Sequence, residues 1–426
     1  MAVHLTRALR HRNYRLFFSG QTVSLVGTWI TRIATSWLVY RLTHSVVLLG
    51  VVGFFGQIPT LLLAPFAGVL VDRWNRHRIL LATQVLSMLQ SVALAVLTLA
   101  GIITVVDILV LQVVQGMINA FDTPARQAFV VEMVSDRADL PNAIALNSSM
   151  VNASRIIGPS IGGIMIALFG EGWCFAVDAV SYLAVIASLL AMRLEKLPLR
   201  SATSKMLDEL RTGFGYVRKF PPIRDSLLLI ALVGTMGMPY TVLMPAIAAN
   251  VLHGGPHTLG YLMTASGCGA LAGAFYLASR RTVLGLGRVM VLSTGAFGAG
   301  LIAFSLSRVL WLSLLLLPVV GGGMMVEMAS TNTILQTIVE DQMRGRVMSY
   351  YAMAFLGTAP LGSLLGGFVA DRIGPMNTVT IGGVACIAAA VAFGARLPRL
   401  RAHVRPIYIE RGILAAAEIE GGSKSL

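Results

Sequence analysis

Apolar stretches of spanning length recur along almost the whole of this chain, and the short turns between them are rich in arginine. A bilayer hydrocarbon core takes roughly 20 apolar residues per helix. Hydrophobic residues make up 56% of the chain and charged residues only 12%. A water-soluble domain of 426 residues needs far more charge to cover its surface. The chain therefore belongs in a membrane, and its function concerns that membrane.

The runs predict twelve helices, near 14–40, 46–71, 79–101, 105–131, 142–168, 173–193, 226–250, 258–279, 289–307, 310–335, 347–370 and 376–395. An open sheet leaves backbone polar groups unsatisfied in lipid, and the runs lack the alternation of a barrel. The expected class is an all-α membrane protein. The first run is too long for a cleaved signal peptide, and no small-residue cleavage site follows it. Cys174, Cys268 and Cys386 fall in three different spans, with neither metal spacing nor a disulfide framework.

The net charge is +14, and its distribution matters more than its size. Arg7, Arg10, Arg12 and Arg15 precede the first span, and Arg73, Arg76 and Arg78 separate the second and third. Lys196, Arg200, Lys205, Arg211, Arg218 and Lys219 occupy the longest loop. Arg280, Arg281, Arg288, Arg344, Arg346, Arg396, Arg399, Arg401 and Arg405 continue the pattern. With an even number of spans all of these fall on one side, and the other side keeps only Arg41, Arg308 and Arg372. The positive-inside rule then predicts that both termini are cytoplasmic. The same arrangement argues against a nucleic-acid partner, which would call for one basic patch.

The polar loop divides the chain into six spans and six. The predicted division is 1–194, a linker 195–224, 225–396, and a cytoplasmic tail 397–426. Patterning around 206–216 predicts a short amphipathic helix on the cytoplasmic surface. The halves look related at an offset of about 205: FDTPARQAFVVEMV (121–134) runs parallel to VEMASTNTILQTIV (326–339), and GPSIGG (158–163) to GSLLGG (362–367). Two pseudo-symmetric six-helix bundles are what a carrier alternating between two faces needs.

GVLVDRWNRHRIL (68–80) closely resembles motif A of the major facilitator superfamily, with Gly68, Asp72, Arg73, Arg76 and Arg78 in register and Asn75 where glycine is usual. Gly68 is expected to allow close helix contact, and Asp72 to face a helix N-terminus and its arginines. The resemblance implies a conformational latch, in which Glu132 is the expected salt-bridge partner of Arg73 or Arg76. ASRIIGPSIGG (153–163) resembles motif C of the superfamily's exporters and antiporters. There Pro159 frees a backbone carbonyl, and Gly158, Gly162 and Gly163 are expected to form a flat face for the other half to pack on. RNYRLFFSGQTVSLVGTWI (12–30), LTHS (42–45) and FDTPARQAFVVEMV bring the whole closest to the bacterial enterobactin-exporter-like branch. That resemblance implies the major facilitator fold, the bacterial inner membrane, a monomer, and efflux driven by proton antiport. Two departures stand out. GAFYLASRR (273–281) has Leu277 at the offset of Asp72, and Gln112 stands where many proton-coupled relatives carry an arginine before the glycine of helix 4.

Ionisable groups inside spans are functional candidates by default. Here they are Arg32, Asp122, Arg155, Asp178 and Glu327. Asp122 lies ten residues before Glu132, so roughly 15 Å from the arginine-rich end. Arg155 lies thirteen after Asn142, so roughly 20 Å up. Those heights permit an Asp122–Arg155 pair, with Asp178 as rival partner. Asp122 and Glu327 are equivalent at the repeat offset, and the resemblance implies that helices 4 and 10 line the cavity. Two carboxylates there suit cation binding or proton exchange. The structural alternative pairs Asp122 with Arg126 or Arg155, and Glu327 with the Thr331 and Asn332 region.

Catalytic signatures do not appear. There is no GxxxxGK[ST] loop for ATP, and the histidines are scattered near termini and loops. No enzyme activity, cofactor or metal is expected. The expectation is a proton-coupled exporter of a small amphipathic compound, drug-like or siderophore-like. A lipid or lysolipid flippase and a non-transporting receptor are the alternatives. With few charges along the predicted cavity, a large amphipathic or cationic compound fits better than a sugar phosphate.

Overall fold

A computed structural model describes residues 6–134, 136–193, 206–280 and 282–414, with the side chains of 65, 69, 72, 137 and 206–211 outside that description. Membrane-length helices follow one another as α1 Arg12–Thr43, α2 Val46–Arg73, α3 Arg76–Leu99, α4 Val105–Met133, α5 Leu140–Phe169 and α6 Glu171–Leu190. A linker helix, Met206–Lys219, precedes α7 Pro221–Val251, α8 Pro256–Ala278, α9 Leu286–Leu306, α10 Leu310–Ile338, α11 Asp341–Ile373 and α12 Pro375–Glu410. All but α1 are both long and apolar enough to cross a membrane. The 32 residues of α1 suffice in length, but they include Arg12, Arg15, Arg32 and Arg41. Large apolar side chains such as Leu292, Leu306, Leu315 and Trp311 stand more than two-thirds exposed, as lipid-facing residues do.

Local chemistry sets the helix ends. His44, in the left-handed region at φ 48, closes α1, and Ser45 caps α2 by accepting from the Leu48 amide at 3.3 Å. Thr104 and Asp107 form a reciprocal capping box at the start of α4. Gly170 (φ +85) turns α5 into α6, and Gly374 (φ +86) turns α11 into α12. The two glycines stand close to the repeat offset, and each backbone lies where L side chains are strained.

The helices form two compact units. The first comprises Met1–Thr203 with Met244–Thr264, and the second Ser204–Leu243 with Ala265–Leu426. Within the first, α1 packs on α5 and α6, α3 on α4 and α6, and α2 on α4. Within the second, α7 packs on α11 and α12, and α9 on α10 and α12. The pairings repeat six helices apart, which is the architecture of the major facilitator fold. Close approach in the second unit needs small residues: a Cβ at Gly273 of α8 would lie 2.9 Å from the Gly322 carbonyl of α10.

Two segments differ from expectation. The linker helix forms where the amphipathic pattern placed it, but it packs on protein: Phe214 meets Tyr350 with ring centroids 6.3 Å apart, and Val217 is buried with Ile223. The last helix runs on to Glu410, past the predicted end near 395. Its extension buries Leu397, Leu400 and Tyr408 in the core around Tyr351, an apolar pattern that continues beyond the last span.

Candidate functional site

The turn between α2 and α3 carries the first cluster. Asn75 accepts from the Arg78 amide at 3.1 Å and so caps α3. Arg76 Nη1 lies 2.7 Å from Glu132 Oε1 on α4, with both side chains about a quarter exposed. Arg76, rather than Arg73, is therefore the residue paired with Glu132 in the described contacts. Arg73 and Arg78 are exposed, and they line a cavity of about 800 Å³ together with Ile79, Leu86, Met117 and Phe121. The side chain of Asp72 lies outside the described residues. Gly68 differs from expectation: among the described residues no atom lies within 4 Å of a Cβ built there, so no close contact is described for it.

A second cluster ties the N-terminal segment to the same end of the unit. Asp139, between α4 and α5, is fully buried and receives Arg10 Nη2 at 2.7 Å and His11 Nε2 at 2.9 Å. The His11 hydrogen bond first, then Arg10, holds its carboxyl below the usual carboxylate range despite burial. No local sequence pattern marks this clamp, because its members are more than a hundred residues apart.

The intramembrane acids find neutral donors. Asp122 Oδ1 accepts from Thr83 Oγ1 at 3.0 Å and Gln84 Nε2 at 2.7 Å, while Arg126 Nη2 lies 3.7 Å from Oδ2. Asp178 Oδ2 accepts from Thr31 Oγ1 at 2.9 Å and Ser91 Oγ at 2.8 Å. Neither acid pairs with Arg155, so both pairings anticipated from helix depth are corrected. Depth along a helix sets height only; α3 interposes a polar face that supplies Thr83, Gln84 and Ser91, and α1 supplies Thr31. That face is the missed signal: Thr83, Gln84, Ser87, Gln90 and Ser91 recur at helical spacing in an apolar helix, and all are buried.

Arg32 and Arg155 meet elsewhere. The Arg32 guanidinium lies 5.1 Å from the centroid of Trp29, and that of Arg155 lies 6.0 Å from the same ring. Gly158 makes this possible, since a side chain there would collide with Trp29 Cβ on α1. Gly162 likewise rests on Ile30, whose Cα would be 3.2 Å from an added Cβ. A Cβ at Gly163 would sit 2.8 Å from the Pro256 carbonyl, within the same unit. Pro159, inside an unbroken α5, donates no amide to the carbonyl of Arg155 four residues back.

In the second unit Glu327 is buried on α10. Its Oε1 accepts from Thr331 Oγ1 at 3.0 Å, while Oε2 is buried without a partner among the described residues. Asp122 has an arginine nearby; Glu327, its counterpart at the repeat offset, has none in the described contacts. Arg280, in the counterpart of motif A, donates to the Leu284 carbonyl at 2.8 Å, a backbone acceptor where the first half offers an acid.

The family model described as "Transmembrane secretion effector" matches residues 6–410. The staphyloferrin A transporter of Staphylococcus aureus is 27% identical over 89% of this chain and 95% of its own. The multidrug efflux pump Tap of Mycolicibacterium fortuitum is 29% identical over 82% of this chain and 87% of its own. The enterobactin exporter EntS of Citrobacter koseri is 24% identical over 95% and 96%. Among solved structures, a mutant of the peptide transporter POT superposes with TM-score 0.73 at 12% identity, covering 92% of this chain and 95% of that one.

Proposed function

The chain belongs to the transmembrane secretion effector family of major facilitator transporters, and on that premise we propose that it exports a small amphipathic solute, drug-like or siderophore-like, in exchange for protons. Efflux transport by an integral membrane protein, and not enzyme chemistry, is the activity its relatives support. The observation that carries proton coupling is Glu327: a buried carboxyl with one hydroxyl donor, one oxygen without a partner and no described cation. A charge left uncompensated in low dielectric is costly. A proton taken up and released there would switch that cost on and off, and so bias one conformation over another. Asp122 is the weaker candidate, since Thr83, Gln84 and Arg126 already satisfy it.

The arginine-rich turns support cytoplasmic termini in the bacterial inner membrane, and the reading takes the monomer as the working unit. The test uses inverted membrane vesicles carrying a pH gradient and a panel of cationic dyes, antibiotics and catechol siderophores. Wild-type accumulation should collapse with a protonophore and in Glu327→Gln, while counterflow survives in Glu327→Gln. Accumulation that survives Glu327→Gln and fails in Asp122→Asn would move coupling to α4. No accumulation or counterflow of any compound by wild type would overturn the export reading.

One observation favours a second reading. The cavity of about 800 Å³ beside α3 and α4 is lined by apolar side chains together with Arg73 and Arg78, a combination suited to lipid. Movement of a fluorescent lysolipid between leaflets by wild-type proteoliposomes would establish that reading.

A further inference from the structure

We propose that Arg32, Trp29 and Arg155 form a cradle for an organic polyanion, a solute bearing at least two carboxylates around a flat apolar body. The proposal rests on the transporter reading only for calling that solute the cargo; the binding site itself does not depend on it.

The first observation is an imbalance of charge. Other intramembrane and interfacial charges of the first unit have partners: Asp178 has Thr31 and Ser91, Asp122 has Arg126, and Arg41 grips Glu171 with bonds of 2.7 and 3.1 Å. Arg32 and Arg155 differ. Among the described residues neither guanidinium has a carboxylate or a hydrogen-bond acceptor at bonding distance, and what they share is the Trp29 ring. Two like charges are thus gathered on one indole near mid-height. Arg155 is the sixteenth of 30 residues of α5, and Trp29 the eighteenth of 32 in α1. Intramembrane cations without a counter-charge are expensive, and they mark ligand paths.

The geometry also names the ligand chemistry. A guanidinium presents a planar fork that matches carboxylate bidentately, and two forks on one platform match two carboxylates better than one. The indole offers a flat apolar surface to the body of the solute. Arg32 is exposed and Arg155 half-buried, so neither residue is sealed in the core. Cations, which the low charge of the predicted cavity would otherwise suit, would meet repulsion from both. The two sides are built together, since the glycine that brings α5 against Trp29 stands three residues after Arg155.

The test is equilibrium binding to the full-length protein in lipid nanodiscs, with benzene-1,3,5-tricarboxylate as probe and its trimethyl ester as neutral control. Wild type should bind the tricarboxylate and not the ester. Arg32→Gln and Arg155→Gln should each weaken binding about tenfold or more, while Arg→Lys at either position retains part of it. Melting temperature and elution profile are measured alongside to read folding, and the lysine variants keep the charge test open if a glutamine variant unfolds. Equal affinity for acid and ester, no binding of the tricarboxylate by wild type, or wild-type affinity in both glutamine variants overturns the cradle. Vesicle accumulation of another compound without tricarboxylate binding would leave export standing and remove the cradle. Binding without any transport would do the reverse.

Discussion

Trp29 Cβ on α1 occupies the place that a side chain at Gly158 on α5 would need. Because the backbones approach there, Arg155, one turn earlier on α5, comes within 6.0 Å of the Trp29 ring centroid. A packing motif and a charged side chain are thereby one construction. Gly158→Ala is expected to cost about 1–3 kcal/mol by overpacking, read as a lower melting temperature in detergent. Gly295→Ala, where no described atom lies within 4 Å, is the matched control and should leave the melt near wild type.

Arg76 and Glu132 join α3 to α4 at the arginine-rich end. Removing either partner should lower stability by about 1 kcal/mol. A double-mutant cycle of Arg76→Ala and Glu132→Ala should show coupling of about that size, and the charge swap Arg76→Glu with Glu132→Arg should recover part of it. Additive single losses would mean that the pair contributes nothing specific.

Asp178 gathers hydroxyls from α1 and α3, and a side chain at Gly27 would run into it: a Cβ there would lie 2.6 Å from Asp178 Oδ1. Interhelical hydrogen bonds in membranes average about 0.6 kcal/mol. Asp178→Ala should therefore destabilise by about 1–2 kcal/mol, and Thr31→Val combined with Ser91→Ala should reproduce most of that loss. Thermal melts of the three variants decide it.

The clamp on Asp139 predicts a pH dependence. Its folded-state carboxyl is held below the ordinary carboxylate range, by His11 first and then Arg10. In the window between the folded and unfolded values the unfolded chain binds more protons, so stability rises with pH. The contribution is complete above the unfolded value and is lost as pH falls through the folded one. Melting temperature measured from pH 7 down to about 3 should fall more steeply for wild type than for Asp139→Asn. Parallel curves would mean that the clamp does not govern acid stability.

Part of the site is legible in the sequence alone. The motif A resemblance narrows the partner of Glu132 to Arg73 or Arg76, and the structure selects Arg76 in the described contacts. Gly158, Gly162 and Gly163 read as a packing face and all three carry close contacts, but the partner differs from the expected other half: Gly158 and Gly162 rest on Trp29 and Ile30 of α1. The partner of Arg155 is not legible in the same way. Heights on α4, α5 and α6 follow from counting residues at about 1.5 Å each, but each residue also rotates the side chain by about 100°. Which face of α5 meets α1 depends on glycines matched to a particular neighbour. The polar face of α3 is visible as spacing; its purpose becomes plain only with Asp122 and Asp178 at its two ends.

The sequence by itself determined what lipid judges locally. Each span must satisfy its own backbone and show enough apolar surface, so the span positions and the arginine-rich turns between them follow from residues near one another in the chain. Tertiary structure decided which polar groups meet across helices: Asp122 with α3, and Arg155 with Trp29 of α1. Those choices depend on the rotation of each helix about its axis and on contacts between residues far apart in sequence, which no local pattern encodes.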